Sequence, residues 1–359
     1  MVRWRSGRVT GVRRRWRGAT ELAVDTPEGA VRALAYPHLV GDPQVGDRVL
    51  LNVGALVMGL GTGGYALVVA LPDALPADPP DAGTSRDAGH LVKARYTPLQ
   101  PILLGVDEEA SEHRAVMAAA DSLDGMPVIT ADLHSALPAV LAGIHADRPT
   151  ARVAYVMTDG GALPAWFSRT LDGLRDRLVG TVTTGQAFGG DLEAGTVHTG
   201  LLAARHVLRA DVTILSQGPG NLGTGTTWGF SGVAVGEAVN AVACLGGRAV
   251  GSLRISDADG RPRHQGLSHH SLTAYGRVAL TAADLVVPDG LPPELARSVD
   301  AALAPLATRH RIVHVGTDGL DAALRKAPVA LSTMGRALDE DHAYFLAAAA
   351  AGRHATTLL

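Results

Sequence analysis

Apolar residues in the first 71 positions fall in short runs separated by turn residues. Arg8–Val12, Glu21–Val24, Val31–Tyr36, Arg48–Asn52 and Tyr65–Ala70 have strand length. Gly18, Pro27-Glu28-Gly29, Gly41-Asp42-Pro43 and Gly46-Asp47 punctuate them. Strands so short and frequent predict a small all-β, barrel-like domain over 1–71. Leu75–Gly89 is rich in Pro, Ala, Asp and Ser and has little to bury, which predicts a flexible linker over 72–90.

From residue 91 to 359 the pattern becomes strand, loop, helix, repeated. Strands are predicted at Pro127–Thr130, Arg152–Met157, Val179–Thr184, Val212–Ser216, Ala249–Ile255, Leu285–Val287 and Ile312–Val315. Leu137, Val140, Leu141 and Ile144 mark one helix face, and Val197, Leu201, Ala204 and Leu208 another. Further helices are expected at Trp166–Leu178, around Val235–Val242, at Leu272–Ala283, and near 293–307, 318–326 and 339–351. Apolar strands alternating with amphipathic helices predict an α/β domain, a mostly parallel sheet flanked by helices. Ligands of such sheets bind outside the carboxyl ends of the strands, so five loops become candidates.

Composition narrows the picture. The 359 residues are 47% hydrophobic and only 4% aromatic, so Ala, Val, Leu and Gly fill the core. A net charge of −3 argues against a general polyanion binder. Arg3, Arg5, Arg8, Arg13, Arg14, Arg15 and Arg17 nevertheless crowd the start, with Trp4 and Trp16 among them. Such a run contacts nucleic acid or, more often, forms a solvated strand edge. Cys244 rules out an intrachain disulfide, and its apolar helical surroundings predict core packing. No uncharged apolar run reaches the ~18 residues of a membrane span, and the arginine-rich start lacks the apolar stretch of a signal peptide. The expectation is a cytoplasmic chain without membrane contact.

The loops carry the chemistry. Residues 216–232 contain Gly218, Gly220, Asn221, Gly223, Thr224 and Gly225 after Gln217, a formal G-x-G-x-x-G. Glycines let backbone N–H groups approach an anion, and the following helix adds its positive end. A dinucleotide fingerprint fits poorly, because about ten loop residues intervene and no acid sits at the required spacing. A second loop carries Asp257, His264, Ser268, His269 and His270, residues for a metal site joined across space, for proton transfer or ligand contact, or for loop structure and helix capping. No defined metal-ligand set stands in the chain, so no metal ligands are assigned and the cofactor stays unknown. Asp132 and His134 open a helix, where the acid serves as cap or as site. Asp159-Gly160-Gly161 follows another strand. Asp191, after Gly189-Gly190, is again cap or site. The nucleophile elbow and the P-loop are both missing.

Several strings carry a likeness. Arg95-Tyr96-Thr97-Pro98-Leu99-Gln100, Met157 through Pro164, Gly218-Pro219-Gly220 with Gly223-Thr224-Gly225, and Gly266 through Ser268-His269-His270 resemble a bacterial family called domain of unknown function 3866. The likeness runs from the β domain to about residue 290. It implies no activity, so the reaction stays open.

The residues leave three functions standing. One is an enzyme on a small polar or anionic metabolite, with His269, His270, Asp159 and Asp191 as acid–base groups and Asp132, His134, Gly160, Gly161, Gln217, the glycine loop, Asp257 and His264 as ligand contacts. The second is a non-catalytic metabolite sensor or assembly module, a homo-oligomer included, mating through the β domain or the Ala-rich C-terminal helix. The third and weakest is nucleic-acid binding through the N-terminal arginines.

Overall fold

The computed structural model describes residues 2–61, 63–77 and 89–359. Most of the expected linker falls outside the described residues. Contacts divide the chain into two units, one of residues 1–103 with 166–172, the other of residues 104–165 with 173–359.

In the first unit β1 (Trp4–Trp16), β2 (Ala19–Thr26), β3 (Gly29–Ala35), β4 (Arg48–Asn52) and β5 (Ala66–Ala70) form a closed barrel in the order β1-β2-β3-β5-β4. Val9, Leu22, Val24, Val49, Leu51 and Val68 fill it. β1 is hydrogen-bonded to both β2 and β4. The ladder to β4 covers Trp4–Arg8 and the ladder to β2 covers Arg8–Trp16, so Arg13, Arg14 and Arg15 lie on a stretch of β1 laddered on one side only. Register shifts at Val9/Gly11 and Val12/Arg14 break the alternation, which is how Arg13, Arg14 and Arg15 are exposed in succession. Of the arginines that crowd the start, Arg5 pairs with Glu28 and Arg15 with Asp42, while Arg32 and Arg48 farther on pair with Glu21 and Asp73.

The second unit is built on eight parallel strands. They are β6 (Pro127–Ala131), β7 (Val153–Thr158), β8 (Gly180–Thr183), β9 (Leu192–Glu193), β10 (Val212–Gln217), β11 (Arg248–Ser252), β12 (Asp284–Pro288) and β13 (Arg311–Val315). Their order is β9-β8-β7-β10-β6-β11-β12-β13, with every pair parallel. Central strands β6 and β10 are buried at every residue, as both-face coverage demands. Helices α1 (Leu137–Asp147), α2 (Val197–His206), α3 (Ala234–Cys244), α4 (His269–Thr273), α5 (Pro293–Leu303) and α6 (His342–Thr356) flank the sheet.

Five sequence expectations change. The helix over Trp166–Leu178 is broken into Ala165–Phe167, Arg169–Gly173 and Arg175–Arg177. Ser168 Oγ accepts the Leu171 amide there, a local bond that competes with helix continuation, and the Trp166 carbonyl accepts from Trp16 Nε1. The strand expected to reach Ile255 stops at Ser252, and Ile255–Ser256 pairs antiparallel with Gly266–Leu267. The helix expected over Leu272–Ala283 begins earlier, at His269, and ends in a π-turn over Ala274–Val278. Cys244 is exposed, not core, because it sits in the last turn of α3 on its outer side. The Ala-rich α6 is buried at every residue except His342 and Arg353, so its apolar faces are covered within this unit rather than free for a partner.

Candidate functional site

The chain leaves β6, builds β7, β8 and β9 on one side, and returns through β10 to build β11, β12 and β13 on the other. The sheet changes direction around β6, where crevices open at carboxyl ends. The residues following β6, β10 and β11 meet there.

A histidine cluster is the centre of that rim. The ribbon Ile255–Ser256/Gly266–Leu267 folds the loop after β11 back on itself, and Ser268 then caps α4 by accepting the His270 amide. The same Ser268 hydroxyl lies 2.7 Å from His264 Nδ1. One serine thus fixes His264 beside the helix that starts with His269 and His270. Ring centroids are 5.0 Å apart for His264–His269, 4.8 Å for His264–His270 and 4.5 Å for His269–His270. Phe230, at the end of the glycine-rich loop, stacks on His270 at 3.8 Å.

His270 Nδ1 lies 3.2 Å from Asp132 Oδ2 and 3.4 Å from Arg254 NH1. The two contacts demand opposite tautomers. Asp132 is held below the usual carboxylate range: burial opposes this, but the His270 hydrogen bond and the Arg254 charge outweigh it. An ionised carboxylate only accepts, so His270 donates Nδ1–H to Asp132, which leaves Nε2 outside that bond. Asp132 is therefore neither a helix cap nor free; the following turn begins after Leu133 without a side-chain cap. His264 and His269 are pushed down to about 3 and about 4, by burial first and then by neighbouring positive charge. Both are neutral at pH 7. His264 and His269 offer lone pairs rather than protons, and among the described residues His264, His269 and His270 are the group able to hold a metal ion.

Arg254, 3% exposed, frames the cluster. It reaches Asp259 at 3.2 Å and Asp132 at 3.9 Å. Sequence reasoning passed over Arg254, Asp259 and Phe230. The visible signal was an arginine inside the apolar run Leu253-Arg254-Ile255.

The other candidates are distributed as follows. Gln217 is buried; its Nε2 donates to the Asp132 carbonyl (2.7 Å) and to Asn221 Oδ1 (3.0 Å), while its Oε1 has no partner. A Cβ on Gly160 would collide with Gln217 Oε1, and one on Gly161 with the Gly218 carbonyl. These glycines let the loops after β7 and β10 touch. The glycine loop folds over as a small hairpin, Gly223 bridging Phe230 and the Thr224 amide donating to the Gly229 carbonyl. Gly220 and Gly225 take positive φ there, as such tight turns require. Trp228 stands exposed at its tip with Arg277 over the ring. Arg263 faces Gly225 from the histidine loop. Asp159 is exposed and accepts the Gln186 amide (2.8 Å); β7 is two strands from β6, about 10 Å. Asp191 accepts the Thr181 amide beside edge strand β9, four strands or about 19 Å from β6. The cap of α2 is Thr196, not Asp191. Asp257 is exposed and lines a separate cleft of about 360 Å³ with Gly290 and His342.

His134 is buried against β7, its Nδ1 2.9 Å from the Tyr155 hydroxyl. Burial lowers it to about 4, partly countered by a backbone hydrogen bond at Gln217. Below pH 6.5 the unfolded chain takes up a proton that the folded chain refuses. This contribution is therefore complete above about pH 6.5 and falls away towards pH 4, by roughly 3 kcal/mol. Urea unfolding across pH 7 to 4 should show one proton less in the slope for His134→Gln. An unchanged slope would contradict this reading.

A family model described as "Protein of unknown function (DUF3866)" matches residues 32–352. Neither the curated proteins nor the solved structures include a match to this chain.

Proposed function

The chain belongs to that family, whose description assigns no activity, and we propose from the rim itself that it is an enzyme acting on a small anionic metabolite bound outside the carboxyl ends of β6, β10 and β11. The observation that carries this is the packing of three imidazoles, two of them held neutral, against a buried ionised Asp132. Neutral imidazoles at pH 7 accept a proton or bind a cation, and either converts a bound hydroxyl or water into a nucleophile. The charge around them selects the ligand. Arg263 is exposed, acts electrostatically on His269, and faces the glycine loop without a carboxylate of its own among the described residues. It supplies the charge for an anionic group, while the backbone of Gly223–Gly225 and the exposed Trp228 cover it. Asp159 stands farther along the rim and contacts the distal part of a longer substrate, whereas Asp191 precedes β9, level with Thr181, and lies off that rim.

Inorganic phosphate and p-nitrophenyl esters of phosphoric and acetic acid are suitable probes. Phosphate protects the wild type against thermal unfolding, and Arg263→Ala weakens that protection about tenfold or more, the loss of one charge-assisted contact. Turnover of an ester falls about a hundredfold or more in His269→Gln and is kept in Cys244→Ser, on the exposed end of α3. Equal phosphate protection in Arg263→Ala, or equal turnover in His269→Gln, overturns the assignment. Protection without any turnover leaves a binding protein rather than an enzyme.

A further inference from the structure

We propose that His264, His269 and His270 form a binding site for one divalent transition-metal ion of the zinc class. The site deepens the function above, since it uses the same cluster, but it stands on its own geometry. One nitrogen from each ring lies within 4.8 Å of the others. Tetrahedral zinc with bonds of 2.0–2.1 Å needs about 3.3 Å between ligand nitrogens, so each ring closes by about an ångström, a side-chain rotation.

Three features make this more than a packed histidine core. The first is the outer partner of each ring. Metal-bound histidines characteristically donate their second nitrogen to a carboxylate or another acceptor, which fixes the tautomer and aims the free lone pair. His270 does so to Asp132 and His264 faces the Ser268 hydroxyl, in both cases through Nδ1, leaving Nε2 for the ion. The second is an orphan. His269 Nε2 is buried and has no hydrogen-bond partner. Leaving such a nitrogen desolvated is costly, which a packing role does not recover and a metal bond does. The third is rigidity. All three ligands come from seven consecutive residues, held by the ribbon pairing Ile255–Ser256 with Gly266–Leu267, by the Ser268 cap and by the Phe230 stack on His270. The three rings are gathered before the ion arrives, and only their closing rotation remains.

The donor set chooses the metal. Imidazole nitrogens suit zinc, copper, nickel and iron, whereas magnesium and calcium require oxygen ligands. Three histidines leave a further coordination position, the pattern of a catalytic rather than a structural site. Three positive charges oppose a cation here: Arg261, paired with Asp259, the exposed Arg263, and the buried Arg254. The Arg254 guanidinium is engaged by Asp259 at 3.2 Å and Asp132 at 3.9 Å, so two carboxylates stand against it.

The test uses the full chain, stripped with a chelator and titrated with cobalt(II) or zinc(II) alone. One equivalent of cobalt should bind with the visible absorption of a four- or five-coordinate centre, and zinc should displace it. Zinc should raise the unfolding temperature. His264→Gln and His269→Gln, checked for native fold by circular dichroism, should abolish the absorption. Asp132→Asn, which removes the outer partner of His270 and one of the two carboxylates facing Arg254, should weaken zinc by about 10–100-fold or more. His314→Gln, on exposed β13, should bind as wild type does. No uptake by the wild type, or undiminished uptake by folded His264→Gln and His269→Gln, overturns the site. Phosphate protection without metal uptake sinks this inference and leaves the function above standing. Metal uptake without any ester turnover or anion protection does the reverse.

Discussion

Asp259→Asn lowers the stability of the chain by about 3–5 kcal/mol, the cost of removing one partner from a buried ionic network. Asp259 is 1% exposed and accepts from three guanidinium groups. Arg261 reaches it at 2.7 and 2.9 Å, Arg254 at 3.2 Å and Arg336 at 3.2 Å, and it also accepts the Arg261 amide. Arg336 retains Asp341 at 2.8 Å in the variant, and Arg261 turns to solvent. Arg254 can do neither, and keeps only Asp132 at 3.9 Å. The neutral amide preserves shape, so the loss reports charge. The acid dependence has a definite sign. The Arg261 hydrogen bond, against the opposing effect of burial, holds Asp259 well below its ordinary value near 3.8. Its contribution is present above about pH 4 and is lost as acid reaches the folded carboxyl. Wild type should therefore lose stability below pH 4 more steeply than the variant. Urea unfolding at pH 7 and down to pH 3 measures both, and a loss under 1 kcal/mol at pH 7 would mean the network is not closed in solution.

Gly143→Ala and Gly352→Ala each destabilise the chain by about 3 kcal/mol or more, against the usual direction of the change. Alanine in a helix interior is ordinarily favoured over glycine by about 1 kcal/mol. Here the helices α1 and α6 meet backbone to backbone. A Cβ at 143 would fall inside the Ala349 carbonyl, and one at 352 inside the Val140 carbonyl. Neither obstacle is a side chain that can rotate away, so the helices must separate, and overpacking of this kind costs at the upper end of its range. The effect reaches the rim, because the α6 residue Tyr344 bonds Ser135 Oγ at 2.9 Å, directly after His134. Thermal and urea unfolding decide it. A neutral or stabilising result in both variants would show that the two helices do not pack this closely.

How much of this was legible without coordinates depends on the range of the interaction concerned. β10 and α2 were readable because burial on both faces forces a continuous apolar run and because Val197, Leu201, Ala204 and Leu208 recur with the helix period. The segment Trp166–Leu178 was misread because its helical apolar spacing is answered by contacts of Trp166 with the barrel unit, far away in the sequence. Cys244 was misread because an apolar run does not say which side of the helix faces the sheet at its last turn.

The sequence alone determined the two kinds of architecture, the parallel order of strand, loop and helix, and the segments that lie at the carboxyl ends of the strands. Those follow from hydrophobic period and turn chemistry, which are local. The partners within that rim were decided only by the tertiary structure. Strand order puts Asp132 beside His270 while leaving Asp191 four strands away, and a short ribbon turns His264 back onto His269. Neighbour relations across a sheet are set by crossover connections and by the folding back of loops. Neither leaves a period in the chain, so no spacing could have announced them.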